Sequence, residues 1–211
     1  MKSMKDTAWM TLLALALTAC STPATTRFYS LASPATAPVT TSSTTVPLAI
    51  EVLPINVPER LKRPQLVVST QGSAQLKILE QDRWSSSFND ELRDAMASGI
   101  ASRLGATDVS RGGRVSGQAI YRIAIVLQQF EAIPGDKVNA HFAWTVTRLA
   151  TSASAVGEGS IACQASISKP VGNSADEVAK GVRVSVEEVA QTISANINAL
   201  NNRNNAECGS I

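Results

Sequence analysis

The stretch SADEVAKGVRVSVEEVAQTISANINAL, residues 174–200, decides what kind of fold this chain can adopt. Ser174 and Glu177 stand three residues apart ahead of an apolar run. At that spacing a serine hydroxyl and a glutamate carboxylate reciprocally satisfy free N–H groups at a helix start. Val178, Val182, Val186, Val189, Ile193, Ile197 and Leu200 then recur every three or four residues, which predicts a helix with one apolar stripe and a solvated back. Such a helix must lie on another layer, and the preceding residues supply one.

Working toward the amino terminus, the period changes from helical to alternating. Ile161, Cys163, Ala165 and Ile167 fall in phase, as do Ala140, Phe142, Trp144 and Val146, whose neighbours His141, Ala143, Thr145 and Thr147 take the opposite phase. Tyr121, Ile123, Ile125 and Leu127 form a third set. The Pro134-Gly135-Asp136 turn makes it an antiparallel partner of the second. A further helix is predicted from Phe88, because Ser87 and Asp90 resemble a capping box and Phe88, Leu92, Met96, Ile100 and Leu104 step by four before Gly105 closes the turn. Earlier still, Leu48 to Leu53 reads as a strand, and Gln65–Thr70 and Gln75–Leu79 flank the Gln71-Gly72-Ser73 turn as a hairpin. Strands, a helix, three strands and a helix predict an α+β fold: a mainly antiparallel sheet with two helices packed on one face, a two-layer sandwich.

The first residues assign a compartment. Lys2 and Lys5 precede an apolar run from Ala8 to Leu17, which is about half the length needed to span a bilayer core. It reads as the core of a removable secretory leader covering residues 1–19. Leu17-Thr18-Ala19-Cys20 resembles the bacterial lipobox, so Cys20 is the expected lipid attachment site, carrying diacylglycerol and a further acyl chain. Several chains hold a protein on a bilayer where one holds it only marginally. Ser21 stands where an aspartate would resemble an inner-membrane retention signal, so the periplasmic face of the outer membrane is the expected address. Residues 20–46 are rich in Ser, Thr, Pro and Ala and read as a tether, with a candidate edge strand at residues 27–31. Residues 47–200 are then the folded domain and 201–211 a flexible tail.

Composition excludes more than it assigns. The 211 residues are 44% hydrophobic and 17% charged with a formal net charge of +2, which offers no basic footprint for nucleic acid. His141 is the only histidine. It falls on the polar phase of its strand, and no G-x-S-x-G surrounds a serine, so no catalytic residues are assigned. The cysteine and histidine spacings suit no metal. The Gly112-Gly113 segment lacks phosphate-loop spacing, and Glu51, Glu80, Asp82, Glu91 and Asp94 read as acids that are solvated or favoured by the dipole of the helix they flank.

Three features remain. Cys163 and Cys208 are left in an oxidising compartment once Cys20 is acylated, where a disulfide would pin the tail to a strand. Alternatively, Cys163 serves as a small buried hydrophobe beside Ile161 and Ile167. Arg83-Trp84, just before the first predicted helix, reads as structural packing. Val57 to Gln65 is a loop stiffened by Pro58 and Pro64 that presents one leucine among charges. Its candidate partner-binding residues are Leu61, Arg63, Pro64 and Gln65, and the other reading is a solvated connection.

Taken in order, the lipobox at Cys20, Phe28-Tyr29-Ser30-Leu31, Val57-Pro58 through Leu61, Arg63-Pro64-Gln65-Leu66-Val67 and Arg83-Trp84 with Leu92 and Leu104 resemble the PqiC-like, ABC-type transport auxiliary lipoproteins. The resemblance covers nearly the whole mature chain up to the last helix. The Leu61–Gln65 and Arg83-Trp84 regions are its specific parts. Lys62, where members often carry an acid, and the threonine-rich stretch from Val39 to Thr45 depart from it. The resemblance implies a non-enzymatic docking subunit at the outer membrane, without cofactor beyond the acyl chains. Its partner would be an inner-membrane-anchored MCE-domain protein whose conduit carries phospholipid. It also implies a homo-oligomer around the conduit's tip. The alternative is a stand-alone envelope lipoprotein that binds lipid or acts as an assembly chaperone.

Overall fold

The structure is a computed structural model that describes residues 25–32, 48–113, 118–149, 159–202 and 208. The leader, Cys20, the Val39–Thr45 stretch and most of the spacer and tail lie outside the described residues. Eight strands and two helices follow in order: β1 (Arg27–Tyr29), β2 (Ala49–Val52), β3 (Gln65–Ser69), β4 (Leu76–Trp84), α1 (Phe88–Leu104), β5 (Thr107–Asp108), β6 (Ile120–Ile133), β7 (Lys137–Leu149), β8 (Ser160–Pro170) and α2 (Ala175–Asn201). A single 3-10 turn, Glu59–Leu61, interrupts the β2–β3 connection.

The strands make two sheets, one of five in the order β5-β2-β6-β7-β8 and one of three in the order β1-β4-β3. The long β6-β7-β8 meander and the β3–β4 hairpin are antiparallel, as their alternation and turns predict. Three pairings are parallel: β2 runs parallel to both β5 and β6, and β1 runs parallel to β4. Parallel neighbours need a long crossover, and here the chain between β2 and β6 includes α1. Alternation within one strand says which face is buried but not which strand lies beside it.

Both helices lie on one face of the larger sheet, where Ile50, Ile123, Leu127, Phe142 and Trp144 join Leu92, Met96, Val182, Val189 and Ile193 in one core. The α2 capping box forms in full: Ser174 Oγ accepts the Glu177 N–H at 3.2 Å, and the Glu177 carboxylate accepts the Ser174 N–H at 3.3 Å. At the start of α1 the expectation fails. Ser87 is the N-cap, but its hydroxyl binds the Asp90 carboxylate instead of a backbone N–H, because aspartate is a methylene shorter than the usual glutamate. Gly105 ends α1 in the left-handed conformation, with φ of 59°.

Small residues let α2 sit close. Gly99 of α1 faces Ala190 at a distance that leaves an added Cβ 3.3 Å from it, and a Cβ on Gly181 would stand 2.3 Å from Val171 Cγ1. Ser185 and Ser194 are buried in α2 and donate to the carbonyls of Gly181 and Ala190 one turn earlier, which satisfies hydroxyls that would otherwise be buried at a cost. Polar links tie the helix to the sheet, among them an ion pair between Lys169 of β8 and Glu188. Trp144 Nε1 donates to Asn196 Oδ1 at 3.0 Å, and Tyr121 Oη donates to Asn201 Oδ1 at 3.1 Å.

The candidate edge strand at residues 27–31 forms as β1. Residues 27–29 are a sheet strand, so the body starts well before residue 47. At the other end α2 runs to Asn201, and Cys208 is bonded back to Cys163 of β8.

Candidate functional site

The proline-bracketed loop is held from below. Pro58 supplies the carbonyl that caps the 3-10 turn, accepting from Leu61 N–H at 2.9 Å, and Lys62 N–H donates to Glu59 O at 3.1 Å. This turn drives Leu61 inward. The side chain is 4% exposed and belongs to the core, which corrects the reading that the loop presents its leucine to solvent. An apolar side chain beside a gap in the core is stabilised by filling it. Glu59, Arg60, Lys62 and Pro64 are the exposed residues, while Arg63 and Gln65 are half-buried. Arg60 reaches across to donate to Phe130 O at 3.0 Å, Lys62 pairs with Glu59 at 2.8 Å, and Gln65 Nε2 donates to Glu80 at 3.3 Å. Arg63 Nε is buried without a hydrogen-bond partner among the described residues.

Under the loop, Trp84 stacks on Phe88 with ring centroids 5.3 Å apart, and Phe88 meets Phe130 at the same distance with the rings tilted by 55°. Arg83-Trp84 ends β4 just before α1, and Trp84 packs in the core as its reading as structural packing expects. Trp84 N–H donates to Pro64 O at 2.6 Å, which continues the ladder into the loop. Leu61, Leu66, Trp84, Phe88, Phe130 and Val178 line a cavity of about 10 Å³, room for one water at most.

Beside this cluster two buried carboxylates seize the amino-terminal segment. Asp82 Oδ1 accepts from Arg27 Nε at 2.7 Å and from Tyr29 Oη at 3.1 Å. Glu91, on the first turn of α1, accepts from Leu31 N–H at 2.9 Å, Ser30 Oγ at 3.1 Å, Ser86 Oγ at 3.1 Å and Ser85 Oγ. Burial pushes the Glu91 carboxyl up, but the hydrogen bonds from Ser85, Leu31, Ser86 and Ser30 outweigh it and hold it below the ordinary carboxylate value. Burial, and then the bond to Asp82, raise the Tyr29 phenol. Neither Asp82 nor Glu91 is the solvated acid that its sequence surroundings predict. The available signal was the serine run 85–87 together with the aromatic island at 27–31, two polar partners far apart in the chain.

The remaining candidates are dispersed. Glu51, another of the predicted solvated acids, is partly buried and pairs with Arg122 at 2.8 Å. His141 Nδ1 lies 2.6 Å from Ser166 Oγ on the open face of the large sheet, and no carboxylate among the described residues hydrogen-bonds the ring. The described residues contain no cluster of His, Cys, Asp or Glu that could hold a metal. None of their helices is long and apolar enough to cross a membrane. Cys163 and Cys208, 45 positions apart in sequence, are joined as a disulfide with Cα atoms 5.5 Å apart. Cys208 and Cys163 border a shallow trough on the large sheet with Ala124, Ala143, Thr145 and Ala162. Cys20 lies outside the described residues.

Against this geometry, residues 29–194 match the family described as ABC-type transport auxiliary lipoprotein component. Two solved structures share the fold. One is the crystal structure of an uncharacterized protein, 17% identical, with a TM-score of 0.60, covering 82% of this chain and 99% of its own. The other is protein XCC0632 from Xanthomonas campestris, 14% identical, with a TM-score of 0.55, covering 84% of this chain and 98% of its own. No curated protein matches the chain.

Proposed function

This chain belongs to the ABC-type transport auxiliary lipoproteins, and from that premise we propose that it is a non-enzymatic docking subunit on the periplasmic face of the outer membrane. Acyl chains on Cys20 hold it there, and no other cofactor takes part. Its partner is an inner-membrane-anchored MCE-domain protein whose conduit carries phospholipid, and several copies of the chain surround the conduit's tip. ATP hydrolysis belongs to another subunit.

The observation that carries this reading is the loop before β3. Its backbone is pinned by Leu61 in the core, two prolines and the Trp84–Pro64 bond, while Glu59, Arg60, Lys62 and Pro64 face outward. A loop ordered before it meets a partner loses little entropy on docking. The cavity beneath it, about 10 Å³, is far below the several hundred Å³ typical of a small-molecule site, which weighs against a stand-alone carrier that encloses lipid there.

The test is crosslinking and affinity capture of the acylated protein from envelopes. Capture of an MCE-domain protein, reduced by Lys62→Glu with Arg60→Glu while the fold is kept, is the expected result. Capture unchanged by the charge reversals removes the loop from the interface. Absence of any MCE-domain partner overturns the assignment.

A further inference from the structure

The sheet β1-β4-β3 has one face on the core and one face free. Registered residues on neighbouring strands point the same way, so Val67 with Ile78, and Gln65 with Arg83 and Phe28, lie opposite the buried Leu66, Val68 and Trp84, although β4 carries an irregularity between Leu79 and Arg83 where the pairing shifts register. On this outer side Phe28 is 67% exposed, Leu76 45% and Ile78 38%. These are three of the five large apolar side chains that stand out as exposed among the described residues. Scattered surface apolar residues need no explanation, but Leu76 and Ile78 are neighbours at one end of β4 and Phe28 stands beside Arg83 at the other, so this small sheet carries exposed apolar side chains at both ends.

The same sheet is where the chain leaves for its anchor. Thr26 Oγ1 already donates to Gln81 Oε1 at 2.8 Å, and the Asp82 and Glu91 bonds fasten Arg27, Tyr29, Ser30 and Leu31 in succession. Only five residues, six Cα-to-Cα steps, separate Cys20 from Thr26. Fully extended, they span at most roughly 21 Å. The spacer read as a long tether is therefore short on the membrane side, since residues beyond Leu31 lie behind the clasp and add no reach. The clasped edge of the sheet cannot leave the neighbourhood of the headgroups.

We propose that the outer face of the β1-β4-β3 sheet, with Phe28, Leu76 and Ile78, lies in the interfacial layer of the bilayer that holds the Cys20 acyl chains. The proposal rests on acylation of Cys20. Aromatic and aliphatic side chains favour that layer, and Arg83 on the same face keeps a guanidinium at its edge, its Nε donating to Glu80 O at 2.9 Å and a terminal nitrogen 4.0 Å from the Glu80 carboxylate. The acyl chains remove most of the cost of bringing the face to the membrane, because they hold it there at high effective concentration. The body is then oriented, not merely tethered.

The mature chain has two tryptophans, Trp84 and Trp144, both buried, so a single exposed tryptophan reports its own surroundings. Acylated Phe28→Trp, Ile78→Trp and, as a control on α2, Val184→Trp are inserted into vesicles of phosphatidylethanolamine and phosphatidylglycerol with phosphatidylcholine brominated along its acyl chains. Intact mass verifies the lipid on Cys20, and circular dichroism verifies the fold. Quenching of the Phe28→Trp and Ile78→Trp emission by about twofold or more, with Val184→Trp left near the unmodified protein, is expected for groups seated in the interface. Equal emission from all three variants, or a blue shift at Phe28→Trp without bromolipid quenching, which would mark a second protein on this face, overturns the proposal. An unacylated Cys20 in the intact mass overturns the anchor reading and this one together.

Discussion

The Glu91 carboxylate accepts the backbone N–H of Leu31 at 2.9 Å across sixty residues of sequence. That bond and its three serine companions convert an apparent linker into part of the fold, because a buried carboxylate is tolerated only when donors surround it. Leu31 follows into the core at 1% exposure.

Glu91→Gln removes the charge that those donors solvate. The variant should lose about 1–3 kcal/mol in chemical denaturation, the usual effect of a charged buried hydrogen-bond acceptor. The acid dependence should change with it. Because the carboxyl is held below its ordinary value of 4.5, its contribution is present in full above that pH and is lost as pH falls through the lowered folded value. The parent protein should therefore weaken on acidification below that range more steeply than Glu91→Gln. Parallel pH profiles for the two proteins would show that Glu91 carries no such linkage.

Reduction should soften the molecule without unfolding it. The Cys163–Cys208 bond closes a loop of 45 residues, and cross-links of that size contribute roughly 2–4 kcal/mol by restricting the unfolded chain. Thermal melts with and without reductant should differ by several degrees, and Cys208→Ser should reproduce the reduced curve. Identical melts, or two thiols alkylated before reduction, would count against the bond.

Leu61→Asp should behave as a folding variant instead of an interface probe. Placing an unpaired carboxylate among Trp84, Phe88 and Phe130 costs several kcal/mol, so loss of the cooperative transition is expected before any loss of partner. Lys62→Glu, whose side chain is exposed, should leave the melting curve within about 0.5 kcal/mol of the parent. A stable, cooperatively folded Leu61→Asp would place that side chain outside the core.

Gly181→Ala tests how tightly α2 is seated. The added methyl meets Val171 Cγ1 at 2.3 Å, and overpacking of this kind typically costs about 1–3 kcal/mol even though alanine favours the helix. A variant of unchanged or raised stability in urea denaturation would show that Val171 yields freely.

By itself the sequence determined the elements whose signal is local, the side-chain cap of α1 apart. The α2 capping box, the four-residue step from Phe88 to Ile100, the Gly72 and Gly135 turns and the alternation of β6, β7 and β8 depend on neighbours within a few residues, and they appear where their periods predict. Only the tertiary structure decided which strands pair in parallel, that Leu61 turns inward while Lys62 stays out, and that Asp82 and Glu91 are buried ligands of the 26–31 segment. Each of these depends on a partner tens of residues away. The same carboxylate on a helix's first turn is equally at home in water or inside, until a distant chain segment supplies donors to replace the water.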